Sequence, residues 1–164
     1  MQSLTPLRIA LAILIIAAGS IAGAWIFQAL GYAPCELCLK QRLPYYAGIV
    51  LATVAAFLSL RGRTRLLQAA FAGLAVIFAA GAALGVYHSG VELGFWPGPS
   101  DCTGALDRAG SVNDFLKQLQ SVKVVRCDVV SLRVFGLSLA VWNAVISIFL
   151  VGLSVFALTL SPRR

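Results

Sequence analysis

The chain has 164 residues, 60% of them hydrophobic and 12% charged, with a formal net charge of +7. A soluble domain of this size cannot hide so much apolar surface, so the composition excludes an ordinary water-soluble enzyme. The cationic excess forms no basic stripe interleaved with aromatics, which excludes a nucleic-acid-binding face as its explanation.

Four stretches lack any Asp, Glu, Lys, Arg or His: Ile9–Leu30, Leu43–Leu60, Leu66–Tyr87 and Val134–Leu160. A helix needs about 20 apolar residues to cross a bilayer. The second stretch is short and extends if its helix begins nearer Cys38. The sequence therefore predicts an all-α membrane protein, a four-helix transmembrane bundle forming one integral-membrane domain. Its spans fall at about 9–30, 41–60, 66–87 and 134–160, with outer loops at about 31–40 and 88–133.

The first span carries Ala22-Gly23-Ala24, a small-residue run like a signal-peptide cleavage site. Only Arg8 marks a positive n-region, however, and the apolar run continues through Trp25 to Leu30, so it is read as a retained helix. Gly19-x3-Gly23 here, and Gly81-x3-Gly85 in the third span, are spaced for close backbone approach between helices. Trp25, Tyr32, Tyr45 and Tyr46 suit an outer aromatic belt, and Asn143 in the fourth span suits an interhelical hydrogen bond.

Arg8, Arg61, Arg63, Arg65, Arg163 and Arg164 crowd three very short segments that contain no acid. Dense Lys and Arg in short loops mark the cytoplasmic side, so both termini are expected there. All four cysteines then lie on the opposite face. Lys40 and Arg42 sit beside a span on that outer face, against the bias, which asks for a local explanation.

The second outer loop opens on the turn-rich Phe95-Trp96-Pro97-Gly98-Pro99. Ser111-Val112-Asn113-Asp114 resembles a capping box, and Val112, Phe115, Leu116, Leu119 and Val122 follow at helical spacing. A short amphipathic helix is predicted there, on the membrane surface or packed on the bundle.

The chemistry lies in the cysteines. Cys35-Glu36-Leu37-Cys38 stands near the start of the second helix, where unpaired backbone N–H groups favour a thiolate. Arg42 lies four residues on, and on a helix it shares the face of Cys38 and can stabilise an anion. That anion is either the Cys38 thiolate or the oxygen of a reduced quinone. Pro44 removes the helical bond to the Lys40 carbonyl, so the helix either starts near Gln41 or is kinked. Cys102 and Cys127 stand 25 positions apart in the second loop. Their spacing is unlike that of a zinc ribbon, and no metal is expected. An even number of cysteines outside the cytoplasm reads first as bridges. Two inert bridges would explain Cys102 and Cys127 but not the CxxC, whose small ring adds little stability and strains easily. His88, the one histidine, is either an interfacial side chain bonded to loop backbone or a contact at a quinone.

Pro34-Cys35-Glu36-Leu37-Cys38-Leu39-Lys40-Gln41-Arg42, followed by the later cysteine pair, resembles the disulfide bond formation protein B (DsbB) family. Tyr87–Pro99, Gly136-Leu137-Ser138-Leu139 and Trp142-Asn143 extend the resemblance over nearly the whole chain. Gln41 departs from it, standing where some members have an acid, as do Val129, Val130, Ser131 and Leu132. The resemblance implies a bacterial inner-membrane enzyme with its cysteines on the periplasmic side. It implies Cys35–Cys38 and Cys102–Cys127 bridges, and a periplasmic thioredoxin-fold thiol oxidase of the DsbA kind as partner. The partner attacks Cys102, Cys127 is released and attacks Cys35, and Cys38 becomes a thiolate beside a membrane quinone (ubiquinone or menaquinone), with Arg42 and His88 at its site. The runner-up, a vitamin K epoxide reductase-like enzyme, places its quinone-side CxxC after the loop pair; here it comes first. A tetraspan protein with purely structural bridges is the non-enzymatic alternative.

Overall fold

The computed structural model describes residues 4–99, 111, 126–130 and 132–160. Cys102 and the amphipathic helix expected after Ser111 lie outside them. Four helices make up the bundle: α1 (Leu4–Ala29), α2 (Glu36–Leu60), α3 (Thr64–Glu92) and α4 (Leu139–Leu160). Each is long and apolar enough to cross a membrane. The shortest, α4, has 22 residues, which at about 1.5 Å per residue is enough for a hydrocarbon core of about 30 Å. Large apolar side chains such as Ile15, Val50 and Val76 point outward, as a lipid-facing surface requires. The chain is therefore an all-α, multi-pass membrane protein.

Phe71, Leu74, Phe78, Ile13 and Leu150 fill the bundle interior, with Ala10, Ala17 and Ala52 letting the backbones approach. The tightest approach is between α3 and α4. A Cβ on Gly85 would lie 2.8 Å from the Ala144 backbone nitrogen, and one on Gly81 would lie 3.2 Å from Ser147 Oγ. Gly81-x3-Gly85 thus has the packing role expected of it. Gly19-x3-Gly23 does not: nothing approaches within 4 Å of a Cβ at either position. Both residues border a cavity instead.

Three element boundaries differ from the sequence reading. α2 begins at Glu36 and not near 41, because Cys35 caps it: its Sγ accepts the Cys38 backbone N–H at 3.2 Å. A side chain accepting from the third helical residue satisfies one of the donors that every helix start leaves unpaired. Pro44 is carried inside the helix. α3 runs on to Glu92, which puts His88 within the helix and shortens the loop. The aromatic turn folds back on this extension. Trp96 Nε1 donates to the Tyr87 carbonyl at 2.8 Å, and the two rings stack.

The fourth span begins at Leu139, five residues late, because 133–138 form a hairpin. Strands β1 (Arg133–Val134) and β2 (Leu137–Ser138) pair antiparallel, Arg133 with Ser138 and Val134 with Leu137. The two turn residues both have positive φ, 51° at Phe135 and 83° at Gly136, as a two-residue primed turn requires. Ser138 Oγ then accepts the Val141 N–H, and Trp142 Nε1 donates to the Val134 carbonyl at 2.9 Å, tying α4 to the hairpin.

Candidate functional site

Cys35 and Cys38 are free thiols whose sulfurs stand 2.7 Å apart where α2 begins. Their inequality follows from the helix. Cys35 is the cap, so its sulfur faces the backbone N–H of Cys38. The Cys38 thiol bonds it as well, and this hydrogen bond is the largest influence on Cys35. Burial opposes it, His88 and the backbone N–H assist it, and the balance pulls the Cys35 thiol down to about 5. Thiolate character in this pair therefore resides on Cys35.

His88, 3% exposed, closes the site from α3. Its Nε2 lies 3.7 Å from Cys35 Sγ and its Nδ1 lies 3.2 Å from Gln41 Nε2. The main chain of Cys127 also lies close to the ring. His88 therefore approaches Cys35 directly, a relation that neither sequence reading of it named. Cys127 is disulfide-bonded. It is buried in the same small apolar cluster as Cys35, Leu37 and Val91, against which Cys38 and Tyr87 also pack. A loop cysteine and the membrane-edge pair thus share one enclosure.

The two cations expected on the outer face, Lys40 and Arg42, have distinct surroundings. Lys40 pairs with Glu36 one turn back, at 3.5 Å with both side chains about four-tenths exposed, an ion pair of little energetic weight. Arg42 donates to Gln28 Oε1 at 2.8 Å and to the Ala24 carbonyl at 3.5 Å, joining α2 to the end of α1. Among the described residues it has no acidic partner and no hydrogen bond to Cys38. Arg42 and Cys38 both line one cavity of about 450 Å³.

That cavity has an apolar part, formed by Gly19, Gly23, Phe27 and Ile146, and a polar end formed by Cys35, Cys38, Arg42 and His88. Asn143 also borders it, and its Nδ2 is buried with no hydrogen-bond partner. The expected interhelical bond from this side chain is absent; its main-chain carbonyl serves instead, accepting from Tyr45 Oη at 3.4 Å. Tyr45 in turn is not a belt residue. It is 3% exposed, and its hydroxyl bonds Ser147 Oγ at 3.0 Å across the bundle. Trp25 and Tyr46 do face outward and bond each other at 3.2 Å.

Gln41 and Tyr45 are the site residues that the sequence reading missed. Their spacing after Cys38 was the available signal, since positions 38, 41, 42 and 45 share one helical face. Cys35, Cys38 and His88 offer three soft donors within 4.8 Å of one another. Tetrahedral zinc would spread its sulfurs to about 3.8 Å, and the observed 2.7 Å is much shorter.

A family model described as "Disulfide bond formation protein DsbB" matches residues 6–157. No curated protein and no solved structure matches the chain.

Proposed function

The chain belongs to the DsbB family of disulfide-forming thiol oxidoreductases, and from that premise we propose that it oxidises a periplasmic thioredoxin-fold dithiol partner and delivers the electrons to a membrane quinone. The observation that carries this reading is the burial of Cys127 in one cluster with Cys35, beside a cavity open to a flat apolar ligand. The proposed orientation puts both termini in the cytoplasm and the cysteines at the periplasmic face of the inner membrane.

Each covalent step is attack of a thiolate on a disulfide sulfur. The partner's thiolate attacks Cys102, breaking the Cys102–Cys127 bond and releasing the Cys127 thiolate. Cys127 attacks Cys35, and Cys38 leaves as a thiolate. The partner's second thiol displaces Cys102 from the mixed disulfide, which frees the partner as a disulfide. Cys102 then attacks Cys127 and restores their bridge, with Cys35 as leaving group. A low leaving-thiol pKa speeds such a step, and the cap, Cys38 and His88 supply it at Cys35. The reduced Cys35–Cys38 pair then holds the two electrons and two protons taken from the partner.

A quinone supplies the final oxidising power by accepting those electrons and protons. The residues fit such a group. The cavity size lies within the range of small-molecule sites. Arg42 and the unpartnered Asn143 Nδ2 offer donors to ring carbonyl oxygens, and His88 borders the same cavity. A guanidinium has five N–H groups, so its bonds to Gln28 and Ala24 leave others free. Arg42 would stabilise developing oxyanion charge, and the apolar wall would hold the ring. The test is twofold. The purified protein should reduce quinone only when supplied with reduced partner, and Cys127→Ser should trap the partner on Cys102. Quinone reduction that persists in Cys35→Ser would sink the proposal.

A further inference from the structure

Gln41 is buried, 7% exposed, within a membrane span of a chain that carries few polar groups there. An intramembrane polar side chain with named partners points to a function. Its amide nitrogen lies 3.2 Å from the Leu84 carbonyl and 3.2 Å from His88 Nδ1. A peptide carbonyl only accepts. The opposite amide orientation would press Gln41 Oε1 against the Leu84 oxygen, two acceptors in contact, so the NH₂ end must face α3. One of its hydrogens serves Leu84, and the other meets Nδ1.

We propose that Gln41 is a positioning residue that keeps Nδ1 of His88 unprotonated and so places the imidazole proton on Nε2, facing Cys35. In the neutral ring this leaves one N–H, on the nitrogen that lies 3.7 Å from the Cys35 sulfur. His88 then acts toward Cys35 as a hydrogen-bond donor whose direction is fixed before any charge develops. An orienting partner that selects a histidine tautomer is the same device that supports histidine-activated nucleophiles on unrelated folds. Cys35 and Glu92, one turn on in α3, act on the ring's overall charge, while Cys38, Arg42 and Arg126 line the same cavity. None of these has a hydrogen bond to Nδ1 among the described residues, so the choice of nitrogen falls to Gln41. The inference rests on the reading of Cys35 as a redox thiol only for its purpose; the proton's position is independent of it.

The chain has a single histidine, so the full-length protein labelled with ¹⁵N-histidine gives one imidazole. At a pH where the ring is neutral, the expected nitrogen spectrum has a bare Nδ1 and a protonated Nε2. Gln41→Glu exchanges a donor for an acceptor and should move the proton to Nδ1 or protonate both nitrogens. Gln41→Met keeps the length, offers nothing, and should give a mixture of tautomers. A wild-type spectrum with the proton on Nδ1 overturns the proposal and needs no variant to fold. So does a wild-type pattern retained in both folded variants. Failure of Cys35→Ser to stop quinone-linked oxidation bears on the proposed function alone.

Discussion

The sharpest test of the site is the acidity of Cys35 in the reduced protein. Its thiol is pulled from 9.0 to about 5. At pH 7 this raises its thiolate fraction from about 1% to about 99%, roughly 100-fold. A thiolate loses intrinsic nucleophilicity as its pKa falls, however, with a Brønsted slope of about 0.4–0.5, and over four units that costs about 40–100-fold. The two effects nearly cancel, so an alkylation rate at a single pH decides nothing, whereas the pH profile does. With the thiol at about 5, the iodoacetamide rate at Cys35, followed by peptide mass, should rise only about 1.1-fold from pH 6 to pH 8; an ordinary thiol near 9 would rise about 90-fold. Cys38→Ala removes the largest lowering influence and should shift the profile furthest toward the ordinary value. His88→Ala should shift it less. The same shift fixes the sign of a stability effect. Between pH 5 and 9 the unfolded chain holds a proton at Cys35 that the folded one has lost, so this contribution to the stability of the reduced protein is fully present above pH 9 and is lost as pH falls toward 5. A tenfold rise per pH unit between 6 and 8 in the wild-type protein would refute the assignment of thiolate character to Cys35.

Arg42→Ala should raise the apparent Michaelis constant for quinone while a first turnover of partner oxidation persists, and Arg42→Lys should fall between, since it keeps the charge but loses the planar fork; titrating quinone against the reoxidation rate measures this. Asn143→Leu should weaken quinone retention in the purified protein without changing alkylation of Cys35, because its Nδ2 has no protein partner to lose. Gly85→Val places side-chain atoms where the Ala144 backbone lies 2.8 Å from a Cβ; overpacking of this kind costs about 1–3 kcal/mol or more, readable as a lowered thermal midpoint in detergent, and an unchanged midpoint would show that α3 and α4 can separate freely. A cysteine introduced at Gly62 should react with an impermeant maleimide only after the membrane is opened; labelling from outside would reverse the proposed orientation.

The spans were legible because each had only to satisfy length and the absence of charge, and both can be counted in the sequence. The cysteines were legible because CxxC beside an apolar run has few competing uses. The start of α2 was ambiguous because Pro44 permits two solutions. The choice between them rests on a sulfur-to-backbone bond that no spacing rule reports. Residues 134–138 of the hairpin were read as part of the fourth span because none of them is charged, and Phe135 gives no sign that it adopts a left-handed backbone. Tyr45 was read as belt from its distance to the span's end. Its rotation toward Ser147 and away from lipid depends on how α2 faces α4. Gln41 was noted as a departure from the family pattern, but its role depends on the register of α3, which sets Leu84 and His88 opposite it.

These corrections converge on one physical cause. Beginning α2 at Glu36 turns Cys35 from a loop residue into a cap. A cap needs an acceptor, and sulfur accepts best as an anion. The N–H that ends the loop and opens the helix is therefore also an N–H that makes the thiol more acidic. The same early start winds residues 38, 41, 42 and 45 into consecutive turns on one face. Cys38, Gln41, Arg42 and Tyr45 consequently line a common cavity with His88 across from them. Had the helix started at Gln41, the two cysteines would sit in extended chain with their sulfurs on opposite sides, and neither the cap nor the shared face would exist. In this bundle the first turn of one helix gives both the acid strength of Cys35 and the arrangement of the wall that faces it.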